Sequence, residues 1–138
     1  MSNNVTIKII GQQTLGEEKD ETIVCAEGTY EKKNVMHCIE YDETPEAGVC
    51  IHNIISASER GVKITKSGAV SSEMLFIPGK SKEVAYKTPY GTFSMETRCK
   101  TVEIKEAEDI IKIHIEYGLY TAGELVSDCV TEIDIQMN

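Results

Sequence analysis

The chain has 138 residues, of which 41% are hydrophobic and 27% are charged, a composition typical of a globular protein with one domain. Fourteen Lys and Arg residues stand against 23 Asp and Glu residues, a formal net charge of −9 at pH 7. Such an acidic surface disfavours sequence-independent binding to nucleic acid or to an anionic membrane. We therefore expect neither as a partner.

The cysteines and the amino-terminal segment point to a cytoplasmic protein. Five cysteines are scattered along the chain without a C-x-x-C pair, which fits a reducing compartment better than a disulfide framework. The first residues lack the charged and apolar regions of a secretory signal. No apolar run approaches the roughly 18 residues that a membrane helix requires. The cysteines are Cys25, Cys38, Cys50, Cys99 and Cys129.

Alternation of apolar and polar residues predicts strands throughout the chain, because it separates a core face from a wet face. Ile111, Ile113 and Ile115, for example, are interleaved with Lys112 and His114. Turn residues such as glycine and proline separate the alternating runs. The predicted strands are, in chain order, 4–13, 21–31, 34–41, 47–57, 61–67, 71–78, 82–88, 92–105, 109–120 and 124–136. Within the eighth, the apolar phase jumps near Lys100–Val102, which predicts a β-bulge.

Short links between successive strands predict an antiparallel up-and-down meander, so the fold class is all-β. A sheet of eight to ten such strands closes most simply into a single barrel over residues 1–138, because closure removes exposed edges. Small barrels either fill their interior with side chains or hold one small ligand.

Several short motifs carry a family resemblance over most of the chain, from about Val5 to Ile135. They are Gly28-Thr29-Tyr30, Lys66-Ser-Gly-Ala-Val, Met74-x-Phe76-x-x-Gly79, Tyr86-Lys-Thr-Pro-Tyr-Gly91 and Ile113-x-Ile115-x-Tyr117. In order and spacing they resemble the YwiB-like family of small bacterial proteins of unknown function. The resemblance implies a lipocalin-like (calycin) β-barrel and supplies no established chemistry. The family pattern favours Arg where this chain has Lys66, so a compact ammonium replaces a planar two-pronged donor.

In an up-and-down barrel, successive loops alternate between the two ends. Loops 14–20, 42–46, 67–70, 89–91 and 121–123 should gather at one end, which we name the Gly68 end. Loops 31–34, 58–60, 78–81 and 106–108 should gather at the other, the Arg60 end. The Gly68 end would hold two acidic loops and two family motifs, so we expect any mouth there. The alternative is that its glycines and prolines only make tight turns.

The leading functional hypothesis is a non-catalytic barrel that binds a small, partly apolar molecule in its interior. Tyrosines would supply flat walls with a polar tip, and Lys66 or Thr88 a hydrogen-bond donor. The predicted ligand-binding residues are Lys66, Ser67, Phe76, Tyr86, Thr88, Tyr90 and Tyr117. The alternative is that these side chains fill the barrel and nothing binds.

Catalysis and a cofactor are not expected. The chain lacks a G-x-S-x-G elbow, and Lys66 and Ser67 would point to opposite faces of their strand. A metal site would require a hairpin centred near Thr44-Pro45, with His37 opposite His52. A shift of one residue in that register would separate the two imidazoles.

A second hypothesis, from another class, is a solid barrel that meets a protein partner or a second copy through its outer strands. Four apolar residues interrupt the polar faces of their strands and would have to be covered by another surface. A homodimer is one hypothesis that covers them. They are Ile10, Cys38, Ile54 and Val130.

Overall fold

The computed structural model describes residues 3–138, and these residues form ten β-strands with no helix among them. All ten predicted strands are present. Their bounds are β1 Asn3–Leu15, β2 Glu18–Lys33, β3 Met36–Glu46, β4 Val49–Ser58, β5 Gly61–Gly68, β6 Ser72–Phe76, β7 Ser81–Thr88, β8 Gly91–Glu106, β9 Ile110–Thr121 and β10 Glu124–Met137. Accordingly, no helix within residues 3–138 could span a membrane.

The ten strands make one antiparallel sheet in the order β6-β5-β4-β3-β2-β1-β10-β9-β8-β7. The sheet curls until its two edge strands meet along a seam. There Ser71 and Lys87 exchange two backbone hydrogen bonds of 2.9 and 2.8 Å. Farther along, the turn after β6 bonds to β8, since the Gly79 amide donates to the Cys99 carbonyl at 3.0 Å. The predicted all-β, up-and-down barrel is confirmed as a nearly closed barrel.

Apolar side chains from the inner faces of the strands fill the middle of the barrel. Phe76, 1% exposed, packs against Tyr117 with ring centroids 4.6 Å apart. The buried cluster comprises Val5, Ile7, Tyr30, Ile39, Tyr41, Ile55, Ala57, Val62, Phe76, Cys99, Ile111, Ile113, Ile115, Ile133 and Ile135. Any small molecule inside this barrel must therefore bind near one of its ends.

Close packing between strands also explains Gly28, the first residue of a family motif. A Cβ at Gly28 would lie 2.3 Å from the Glu40 carbonyl oxygen and 2.8 Å from Cδ1 of Ile7. Neither the backbone oxygen nor the buried isoleucine has room to move. Glycine is therefore required here for close approach, not for a turn.

The predicted bulge is confirmed, because the pairing of β8 with β9 shifts between Cys99 and Thr101. The extra residue returns Val102 and Ile104 to the inner face. Both pack against the buried cluster.

Two predicted acidic loops are instead parts of strands. Only residues 16 and 17 separate β1 from β2, and only residues 47 and 48 separate β3 from β4. Segment 42–46 looked like a loop because of its charges and Pro45, but the ladder shifts register between Glu43 and Glu46. A bulge tolerates proline, since no ladder hydrogen bond is needed from its nitrogen.

The longer β3–β4 hairpin makes the register behind the metal hypothesis wrong. His37 pairs with Ala57, and His52 pairs with Asp42. His37 points inward and is 3% exposed, whereas the outward His52 side chain is 43% exposed. The two imidazoles therefore cannot share a metal ion.

The alternation of turns between two ends is confirmed by the antiparallel pairing of every neighbouring strand. The links at 16–17, 47–48, 69–71, 89–90 and 122–123 lie at the Gly68 end. The links at 34–35, 59–60, 77–80 and 107–109 lie at the Arg60 end.

Candidate binding sites at the two ends of the barrel

A row of polar side chains crosses the inner wall near the Gly68 end. Asn53 of β4 pairs with Lys66 of β5, and Lys66 pairs with Ser72 of β6. Directly paired residues of antiparallel strands share a face. Together with Glu43 of β3, these residues form what we call the Lys66 cluster.

Three hydrogen bonds hold the Lys66 cluster together. The Lys66 ammonium donates to Asn53 Oδ1 at 2.7 Å and to Glu43 Oε1 at 2.9 Å. The Asn53 amide donates to the same Glu43 oxygen at 2.9 Å. Because an ammonium carries three N–H donors, Lys66 keeps one for another acceptor.

Ser72 is the exception within this cluster. Its residue is 6% exposed, and its Oγ has no hydrogen-bond partner among residues 3–138. An unpartnered buried hydroxyl costs about 1–3 kcal/mol. Ser72, the residue paired directly with Lys66, therefore keeps an unused donor and an unused acceptor.

The inner wall at this end is open to solvent. The side chains of Lys66 and Glu43 are each 24% exposed although they point inward. Across the seam, the Ser71–Lys87 bridge brings the inward Tyr86 to the level of Ser72. Tyr86 pairs with Phe93, whose inward ring is 51% exposed. Polar donors and aromatic rings thus lie side by side on the inner wall near one mouth.

Burial also perturbs the phenol beside this mouth. Tyr41 is the next member of the row, paired with Asn53. Burial, reinforced by the charge of Glu43, raises the pKa of Tyr41 well above its usual value. The Tyr41 hydroxyl therefore loses its proton less readily than that of an exposed tyrosine.

Five of the seven predicted ligand-binding residues fall into three groups. Lys66 and Tyr86 lie at the open mouth, whereas Phe76 and Tyr117 lie deeper, packed on each other. Thr88 supports the β7–β8 turn, where its Oγ1 donates to the Gly91 carbonyl and accepts from the Tyr90 amide, both at 3.1 Å.

The remaining two predicted residues do not point into the interior. Ser67 is exposed and pairs with the outward His52. Tyr90 lies at the tip of a turn and is 95% exposed. The expectation that Tyr90 supplies a wall of an interior site is therefore wrong.

Sequence reasoning missed Glu43, Asn53 and Ser72. A signal was available, since each is a polar residue in the apolar phase of its strand. Asn53, for example, lies between Ile51 and Ile55 in the inward-facing positions of β4.

At the Arg60 end, a buried histidine connects a tyrosine to a glutamate. Nδ1 of His37 lies 2.7 Å from the Tyr30 hydroxyl, and Nε2 lies 2.8 Å from Glu106 Oε1. His37 Nε2 thus lies within ion-pair distance of the Glu106 carboxylate, and Nδ1 shares a hydrogen bond with the Tyr30 hydroxyl. Burial, followed by the charge of Glu106, raises the pKa of Tyr30. We call these three residues the His37 chain.

The His37 chain borders a pocket of about 450 Å³. Its apolar lining comes from Val35 and Ile104, and its charged lining from Lys32, Arg60 and Glu106 among others. No grouping of His, Cys, Asp and Glu within residues 3–138 is suited to hold a metal ion. The pocket thus combines apolar surface with charges of both signs, and it lies at the end opposite the expected mouth.

The four apolar residues that break polar strand faces are all half-buried on the outside of the barrel. Cys38 and Ile54 contribute to one outer groove between β2, β3 and β4. Ile10 pairs with Ile23, which is 56% exposed. All five cysteines are free thiols.

Comparison with known proteins supports the same fold. The family described as "Domain of unknown function (DUF1934)" matches residues 7–133. The uncharacterized beta-barrel protein YwiB of Bacillus subtilis (strain 168) is 28% identical over 95 residues, which are 69% of this chain and 66% of that protein. The crystal structure of the ywiB protein from Bacillus subtilis superposes with a TM-score of 0.87 at 20% identity, over 99% of this chain and 93% of the other.

Proposed function

The chain belongs to the DUF1934 family, and from that premise we propose that it is a non-catalytic, lipocalin-like cytoplasmic barrel that binds a small, partly apolar molecule. The ligand enters at the Gly68 end and contacts the Lys66 cluster. The observation that carries this proposal is the buried Ser72 hydroxyl, which has no partner within residues 3–138 and lies beside a half-buried ammonium.

The chemistry of the mouth specifies the ligand class. Lys66 and Ser72 together donate to one acceptor group, such as a carbonyl or carboxylate oxygen. Tyr86 and Phe93 present apolar surface to the rest of the molecule. The ligand therefore joins an oxygen acceptor to an apolar body. Free thiols at all five cysteines agree with a reducing compartment.

Native mass spectrometry of protein purified gently from its own cells tests this function. We expect a discrete added mass on the wild type, and its loss from Lys66→Met, Ser72→Ala and Tyr86→Ala. Each variant removes either a donor or an apolar wall. Ser72→Ala is the mildest of them, since it deletes only a hydroxyl that has no partner within residues 3–138.

The chain offers a matched control for each variant. Lys63→Met removes an outward lysine of the same strand, which pairs with Glu73 at 3.5 Å. Ser71→Ala and Tyr90→Ala remove exposed counterparts. All three controls should retain the added mass. A wild type without added mass, or variants that keep it, would contradict the proposal.

The filled middle of the barrel supports a second candidate function, an interaction module without a ligand. A protein partner or a second copy would then cover the outer face at Cys38 and Ile54. Sedimentation velocity distinguishes the two functions. A concentration-dependent dimer that Ile54→Lys abolishes supports the module, whereas a monomer that captures no partner contradicts it.

A further inference from the structure

The pocket at the Arg60 end is separate from the Lys66 cluster and is built differently. The ends of β2, β3, β4 and β8 and two turns line a pocket of about 450 Å³. Protein sites for drug-sized ligands span about 300–1,000 Å³. A volume in the lower part of that range fits a small metabolite.

The His37 chain fixes one carboxylate at the rim of this pocket. Glu106 Oε1 lies 2.8 Å from His37 Nε2 and accepts a hydrogen bond from Lys32 Nζ at 3.5 Å. His37 in turn is held by the Tyr30 hydroxyl. Such a supporting layer orients a ligand-binding group and reduces the entropy lost on binding. The contacts of Glu106 within residues 3–138 are all made by Oε1, so Oε2 is available to a ligand's donor.

Arg60 supplies the opposite charge. It lines the same pocket, and its guanidinium makes no ion pair within residues 3–138. A guanidinium matches a carboxylate through two parallel hydrogen bonds. Val35, although 74% exposed at the tip of its turn, lines the pocket together with Ile104. The pocket thus offers a carboxylate at its rim, a guanidinium without an ion pair among residues 3–138 and an apolar surface, with Lys32 and Glu59 adding one further charge of each sign.

We propose that this pocket binds a free amino acid with an apolar side chain. Its ammonium donates to Glu106, its carboxylate accepts from Arg60, and its side chain covers Val35 and Ile104. A simple acid would leave Glu106 without the donor, and a simple amine would leave Arg60 without the acceptor. The mixed charges therefore select a zwitterion over either singly charged analogue.

Isothermal titration with four small molecules tests this assignment on the intact chain. Leucine is the probe, 4-methylpentanoate lacks its amine, 3-methylbutylamine lacks its carboxylate, and glycine lacks its side chain. We expect leucine to bind at least about tenfold more tightly than each of the others, since one charged contact is equivalent to roughly that factor. Equal affinity for leucine and 4-methylpentanoate, or no binding of leucine at millimolar concentration, would overturn the proposal.

Variants locate the site. Arg60→Met and Glu106→Gln should each weaken leucine binding about tenfold or more. Lys80→Met and Glu108→Gln remove exposed charges from other turns of the same end and should leave binding unchanged. Lys66→Met should also leave it unchanged, which separates this site from the Lys66 cluster. Retained affinity in both Arg60→Met and Glu106→Gln would place leucine elsewhere and refute the assignment.

Discussion

The hydrogen bonds of individual inward-facing residues determine where the interior of this barrel can bind a ligand. Asn53 is fully buried, yet it accepts from Lys66 and donates to both Glu43 and the Ile51 carbonyl. Its hydrogen-bonding capacity is therefore used within the protein. Ser72, in the same row, has no such partner within residues 3–138. A buried polar residue whose hydrogen bonds are all made within the protein stabilises the barrel wall. A buried polar residue that lacks a partner marks a position where a ligand can supply the missing hydrogen bond.

Titration of one outward histidine should make stability depend on pH. Burial by itself would lower the pKa of His114. Hydrogen bonds to Glu132 and Glu116, together with their negative charges, outweigh burial, so the pKa of His114 is raised. When the pKa of a histidine is higher in the folded than in the unfolded protein, protonation stabilises the fold. This stabilisation is complete below the unfolded-state pKa of about 6.5 and disappears as the pH rises through the folded-state pKa. The effect is below about 1 kcal/mol, since the groups are partly exposed.

We therefore expect His114→Gln to lower the free energy of unfolding near pH 5 and to change it less near pH 9. Urea denaturation at both pH values measures the difference. Lys112→Gln, on the same outer face of β9, is the control and should show no such histidine-dependent change. An equal cost of His114→Gln at the two pH values would contradict the assignment.

At the scale of strands, alternation and short links were sufficient to predict all ten strands and which of them are neighbours, but not the register of each pair. The error at 42–46 shows why. The charges and the proline of this segment favour a loop, but in the structure the chain continues there as a bulged strand. Because the turn lies at 47–48 and not at 42–46, His37 pairs with Ala57, and the metal hypothesis fails. The Lys66 cluster depends on the registers of four strands at once. Lys66 and Tyr86 could be named from sequence motifs, whereas the recognition of Asn53 and Ser72 required knowledge of the strand registers.

The seam between β6 and β7 should be the weakest line of the barrel. Within the described residues, a single bridge, Ser71–Lys87, joins these edges at the Gly68 end. Ser71→Pro removes the amide that donates to the Lys87 carbonyl at 2.9 Å. We expect faster amide hydrogen exchange in 72–76 and 81–87, measured by mass spectrometry, with β1 and β10 unaffected.

Ser71→Ala is the control for that experiment, because it retains the backbone donor. It should exchange like the wild type. Uniformly faster exchange over the whole barrel in Ser71→Pro would contradict a local seam.

On the scale of the whole molecule, a packed middle separates two differently built ends. The Gly68 end presents donors and aromatic rings, and the Arg60 end presents an oriented carboxylate and an unpaired guanidinium. The buried cluster between them includes Ile39, Ile55 and Ile113, each 0% exposed. No ligand passes through such packing, so the two sites should bind their ligands separately.

The pairing of β1 with β10 has a consequence for how fast the chain folds. Every other strand pair joins neighbours along the chain, whereas this one joins Val5 to Met137. Local hairpins form early, and a contact between residues so distant in sequence carries a large loop-closure entropy, which slows folding. We therefore expect the joining of the two halves of the meander at β1 and β10 to limit the rate of folding, and the closing of the seam to follow it.

Stopped-flow kinetics in urea tests that order. Ile135 pairs with Ile7, and both are 0% exposed, so Ile135→Val should cost about 0.5–1.5 kcal/mol. We expect that cost to appear as slower refolding, whereas Ser71→Pro should chiefly accelerate unfolding and leave the main refolding phase unchanged. The reverse pattern would mean that the seam forms first. We thus expect the barrel to become committed to its fold at the β1–β10 pairing, and to open first at the seam between its edge strands β6 and β7.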